Sequence, residues 1–164
     1  MDQLQGLLNG FISGHALAHW RHPFVHELTC GQRLTPAELR AGSLLILMSG
    51  ELQLTPFDGA VAPQSRLNAG QAYCVDAESR DYLFIACDVS RVLILPESEL
   101  LTLFREHPSL RNRLMDCLTG QMHDAEQIDH FHRVLSPGQR ASGAGIVGQS
   151  IRGGLARLRA QAST

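Results

Sequence analysis

The sequence predicts an α+β chain: an antiparallel double-stranded β-helix, or jelly roll, with an N-terminal helix before it and a long C-terminal helix after it. Three observations carry that expectation. Residues 1–22 set Leu4, Leu7, Leu8, Phe11 and Ile12 at helical spacing. From Phe24 to Leu95 the chain breaks into short apolar runs separated by turn signals, the texture of a barrel or sandwich. At Pro96 the pattern returns to helical spacing. With 164 residues, 44% of them hydrophobic, the chain is long enough to bury one core of its own.

Pro23 closes the leading helix. The expected strands are Phe24–Leu28, Leu44–Met48, Glu51–Leu54, Tyr82–Ala86 and Val92–Leu95. Ser49-Gly50 and Asp58-Gly59 supply turns, and Pro56, Pro63 and Asn68-Ala69-Gly70 mark loops. After Pro96, acidic residues in the first turn and Leu100, Leu101, Leu103 and Phe104 predict a short helix that His107-Pro108 interrupts. Pro108 suits the first position of the next helix, which runs to Leu135. Along it Leu114, Leu118, Gln121, Ala125, Ile128, His132 and Leu135 recur at spacings of 4 and 3. Two partners fit such a face: the chain's own roll, or a second copy of the chain. The heptad favours the second, a parallel homodimer with Gln121 and His132 setting register.

The formal charge is −2 and all fourteen basic residues are arginine. A chain without lysine performs no Schiff-base chemistry and has no P-loop lysine. Charge is unevenly placed: after Asp129 come five arginines and no acid, in a segment with six glycines. Residues 136–164 therefore read as a Gly/Arg-rich tail, partly ordered at best, after a first unit spanning 1–135. Cys30, Cys74, Cys87 and Cys117 contain no C-x-x-C pair, so zinc-ribbon and thioredoxin-like patterns fail and reduced core thiols are expected. No basic leader and no long apolar run is present, which places the chain in the cytoplasm with no membrane partner.

No constellation proposes a reaction. His15, His19, His22 and His26 share helical spacing, but Pro23 divides them and no carboxylate or thiolate ligand is fixed beside them, so a polar stripe is expected and no metal or cofactor. Cupin metal chemistry needs a His-x-His inside the strands, and Val25–Leu95 holds one histidine. Gly143-Ala144-Gly145-Ile146-Val147-Gly148 matches G-x-G-x-x-G but lacks the preceding strand and the following acid. The chain is read as a non-enzyme.

Three stretches carry a resemblance. Ile46 to Leu54 looks like a strand–Gly–strand hairpin, Leu67-Asn68-Ala69-Gly70-Gln71 like the turn entering a phosphate-binding cassette, and Arg80 with Ala86 and Val92–Pro96 like the strands leaving it. In that order, with the helix ending at His107-Pro108, residues 4–135 resemble the cyclic-nucleotide-binding domain of the Crp–Fnr family. The resemblance implies a non-catalytic sensor, with Gly70, Gln71, Ser79 and Arg80 as ligand-binding positions. A cyclic phosphate needs backbone N–H groups at a helix N-terminus plus an arginine, and its ribose hydroxyl needs a carboxylate. Between Gly70 and Arg80 this chain lacks the family's Gly-Glu pair, so the cassette is degenerate and an effector other than ordinary cAMP is implied. Arg80 is equally suited to pair on the surface with Glu78 or Asp81. Gly148-Gln149-Ser150 leading to Leu155–Leu158 resembles a remnant of the family's DNA-reading helix without a complete winged helix-turn-helix. The alternative function is accordingly a transcription regulator touching DNA through Arg152, Arg157 and Arg159.

Overall fold

The computed structural model describes residues 24–35, 39–56, 65–75, 82–135 and 143–162, though not the side chains of 110, 126, 128–135, 143–147 and 162. Eight strands form two four-stranded antiparallel sheets. They are β1 (Val25–Leu28), β2 (Arg33–Leu34), β3 (Leu44–Ser49), β4 (Glu51–Pro56), β5 (Ser65–Asn68), β6 (Ala72–Cys74), β7 (Tyr82–Ala86) and β8 (Ser90–Leu95). One sheet has the order β1-β8-β3-β6 and the other β2-β7-β4-β5. Except for the β4–β5 pair, strands consecutive in sequence lie in different sheets, the winding of a roll. Three helices follow: α1 (Glu97–Glu106), α2 (Pro108–Leu135) and α3 (Gly143–Ala162).

Period-2 alternation explains the second sheet. Leu52 and Leu54 of β4, Ser65 and Leu67 of β5, and Phe84 and Ala86 of β7 point inward, and their neighbours face outward. Strand β3 is different: Leu44 to Leu47 are all buried, because helices cover the face that the roll leaves open. Tyr73 of β6 meets Phe84 of β7 edge to face, with centroids 5.0 Å apart, so the aromatic pair joins the two sheets through the core. The hairpin expected at Ile46–Leu54 is instead a crossover, since β3 and β4 belong to different sheets; the chain turns between them at Gly50, whose φ of 90° is accessible at little cost to glycine alone. A side chain there would also run into the Ser90 backbone and the Val89 carbonyl.

All five expected strands and the two helices expected after Pro96 are present. Strands β2, β5 and β6 add to them; each is four residues or fewer, too short a run for periodicity to single out in the sequence. The expected N-terminal helix and His15, His19 and His22 lie outside the described residues. The tail differs most from expectation. Residues 143–162 form a continuous helix whose Ile151, Leu155 and Leu158 join the core cluster. Their spacing, with Ser150 and Gly154, makes a buried stripe along one side. Glycine inside a helix costs about 1 kcal/mol, but at Gly154 it is required: a Cβ would collide with the Cys74 side chain. Burial of that stripe outweighs the low helix propensity that made the tail look disordered.

Candidate effector site

The turn between β5 and β6 is sewn up by its own residues. Gly70, with φ 86°, donates its N–H to the Leu47 carbonyl at 2.7 Å. The Gln71 N–H reaches the Asn68 carbonyl at 3.0 Å, and the Gln71 side-chain oxygen accepts from the Asn68 N–H at 2.8 Å. Gln71, one of the residues expected to meet a ligand, thus has its carboxamide oxygen committed to closing the turn. Gly70 is committed too, because its carbonyl accepts from Gln121 Nε2 at 2.8 Å. Ser79 and Arg80 lie outside the described residues.

Strand β6 is the edge of its sheet, and an edge exposes a row of unpaired backbone groups. Here two helices complete it. Gln121 of α2 donates to Gly70 as above and accepts from the Ala72 N–H at 3.0 Å. Ser150 of α3 accepts from the Cys74 N–H at 2.8 Å and donates to the Cys74 carbonyl at 2.7 Å. One amide and one hydroxyl therefore stand in for a missing ninth strand. Ser150 is buried, so its two bonds satisfy groups that water does not reach. Past Cys74 the chain rejoins backbone pairing, with the Val75 N–H donating to Ser43 at 2.8 Å.

These bonds bear on part of the expected dimer face. Leu114, Leu118 and Ala125 are buried within the chain, and Gln121 is tied to the roll, so these four are occupied at home rather than offered to a second copy. The spacing that suggested a coiled coil also suits a helix wedged between a sheet edge and a neighbouring helix, since both bury one stripe. The side chains of Ile128, His132 and Leu135 lie outside those described. Of the tail arginines, Arg152 and Arg159 are exposed on the outer side of α3, while Arg157 is half-buried beside Glu97 and Cys74 in a crevice that admits no more than a water molecule. Glu97 there accepts a hydrogen bond from Gln161. Of the two partners that the sequence offered for the Gln121 face, the bonds of Gln121 to Gly70 and Ala72 reach the chain's own roll, and Ser150 was not singled out as a contact. The signal in both cases was a polar residue set in an apolar helical stripe.

The cysteines sit differently from the expected core thiols. Cys74 is buried, Cys87 and Cys117 are intermediate, Cys30 is exposed, and none of the four is in a disulfide. Burial pushes the Cys117 thiol pKa up, Arg113 opposes that rise, and Asp116 adds to it. Among the described residues no three His, Cys, Asp or Glu side chains gather as a metal site, and no helix is long and apolar enough to cross a membrane.

The wound pair of sheets followed by a short and a long helix has solved counterparts. A CprK variant superposes with a TM-score of 0.52 at 16% identity, covering 88% of this chain and 86% of that one. The chain has the Crp–Fnr-type β-roll fold. A CooA variant from Carboxydothermus hydrogenoformans gives a TM-score of 0.51 at 16% identity, over 73% of this chain and 81% of that one. Unbound oxidised CprK gives 0.50 at 14% identity, over 75% and 67%. No family model and no curated protein matches the sequence. At such identities the likeness is one of backbone path, and what this Crp–Fnr-type roll binds has to be argued from its own residues.

Proposed function

We propose that this chain is a non-catalytic regulatory module in which an effector engages the roll next to β6 and the two C-terminal helices read the result. The observation that carries the reading is the clamped edge. The segment leading from Cys74 toward Arg80 leaves β6 directly, and β6 is held to α2 and α3 by the side-chain bonds of Gln121 and Ser150. A ligand that shifts β6 by a fraction of an ångström changes the length of those four bonds, and so changes how the helices sit. Arg80 is the positive group that such an effector would meet, which favours an anionic small molecule.

Ordinary cAMP is a poor candidate. The Gly70–Arg80 stretch has no Gly-Glu pair for the ribose, and Gln71 spends its carbonyl oxygen on Asn68. A thermal-shift screen of anionic metabolites and nucleotides against the full chain tests the reading. A supporting ligand raises the melting temperature, loses that effect in Arg80→Ala, and alters amide exchange at Ala72 and Cys74. A ligand that stabilises the chain with neither dependence would contradict it.

A further inference from the structure

The thiol of Cys30 donates to the backbone carbonyl of Cys87 at 3.1 Å, across 57 positions of sequence. We propose that Cys30 and Cys87 are an oxidisable dithiol, a modification site that a low-molecular-weight disulfide of the glutathione class converts to an intrachain disulfide. The two residues sit in the turns that carry the chain from one sheet to the other: Cys30 between β1 and β2, Cys87 between β7 and β8. Backbone bonds already hold these turns together, from Gly31 N–H to the Ala86 carbonyl at 2.7 Å and from Ala86 N–H to the Gln32 carbonyl at 2.9 Å. Antiparallel neighbours of this kind keep Cα atoms roughly 4.5–5.5 Å apart, inside the range that a disulfide spans. Closing the bond therefore asks for side-chain rotation and little backbone movement. The Cys87 sulfur must swing from its long contact with the Ile85 carbonyl toward Cys30.

Access selects this pair over the others. Cys30 is exposed and Cys87 is half-buried, whereas Cys74 is buried where α3 packs at Gly154, and Cys117 is on α2 with its pKa raised by burial. Nucleophilic attack requires an exposed thiolate. The Cys30 thiolate attacks one sulfur of the oxidised tripeptide, breaking its S–S bond and releasing one thiolate, which takes up a proton. The Cys87 thiolate then attacks the Cys30 sulfur of that mixed disulfide, forming the intrachain S–S bond and releasing the second tripeptide thiolate, again protonated. One small disulfide is reduced to two thiols, and two protein thiols become one disulfide. The product pins both sheet crossovers together at one end of the roll.

The test incubates the full chain with oxidised glutathione at pH 8, blocks remaining thiols with N-ethylmaleimide, and reads intact mass and peptide map. The expected result is that titratable thiols fall from four to two, with a cross-linked peptide joining Cys30 to Cys87 and reversal by dithiothreitol. Cys30→Ser and Cys87→Ser should each abolish the cross-link, and a glutathione adduct should remain on Cys30 of the Cys87→Ser chain. Four thiols remaining, a Cys30 adduct that never closes in the unsubstituted chain, a bond to Cys74 or Cys117, or a link between two copies would each overturn the assignment. The readout on the unsubstituted chain stands even where a variant fails to fold.

Discussion

Replacing Ser150 by alanine removes a single hydroxyl that bonds two backbone groups of Cys74. The hydroxyl is within 2.8 Å of the N–H and 2.7 Å of the carbonyl, and the residue is buried. An unsatisfied buried donor or acceptor costs ~1–3 kcal/mol. With both affected, and some relaxation of a three-residue edge strand, the expected loss for Ser150→Ala is about 2–4 kcal/mol. In a chain of this size that lowers the melting temperature by ~4–16 °C. Thr119→Ala is the matched control. Its hydroxyl bonds back to the Met115 carbonyl in the same helix at 2.8 Å, a bond the helix does not need, so the cost stays below ~0.5 kcal/mol. Urea unfolding read by far-ultraviolet circular dichroism measures both, with the slope checked for constancy. A Ser150→Ala midpoint indistinguishable from that of Thr119→Ala, at equal slope, would refute the idea that the hydroxyl completes the sheet edge.

Gln121→Leu keeps the bulk and removes both edge bonds on the α2 side; amide exchange at Ala72 should accelerate about tenfold, matching a local loss of ~1.4 kcal/mol, and unchanged protection would count against the clamp. Gly50→Ala forces a side chain onto a φ of 90° and to 2.7 Å from Ser90 Cα, with an expected loss of ~1–3 kcal/mol in urea. Gly31→Ala has a φ of 81° but open space around it, so its cost should be visibly smaller in the same assay. The raised Cys117 pKa means the folded chain holds that proton more tightly than the unfolded chain does. Its contribution is fully present below the unfolded thiol pKa of ~8.5 and is lost as pH rises through the higher folded value. Urea midpoints should therefore fall more steeply above pH 9 for the natural chain than for Cys117→Ala, a difference absent at pH 7.

How much of this was legible in sequence follows from element length. Strands β3, β4, β7 and β8 run five or six residues and carry enough apolar positions to declare themselves. Strand β6 has three residues, all buried, and exists because β3 on one side and helix side chains on the other supply its partners. Nothing local in Ala72-Tyr73-Cys74 announces that. Helix α3 was obscured by its glycines, since local propensity argues against a helix there and only the facing Cys74 explains Gly154. Gln121 shows the limit of periodicity: spacing revealed that its helix face was buried, and the partner turned out to be the chain's own roll.

Calorimetric titration of the full chain with cAMP tests the proposed function most directly. The account attributes to this roll a cassette without the ribose carboxylate, in which Gly70 and Gln71 are already engaged with Leu47, Asn68 and Gln121. Loss of one charged hydrogen-bond partner costs roughly 1.5–3 kcal/mol, about ten- to a hundred-fold in affinity. The predicted result is no detectable heat up to millimolar nucleotide. A low-micromolar complex with cAMP that Arg80→Ala destroys would contradict the account.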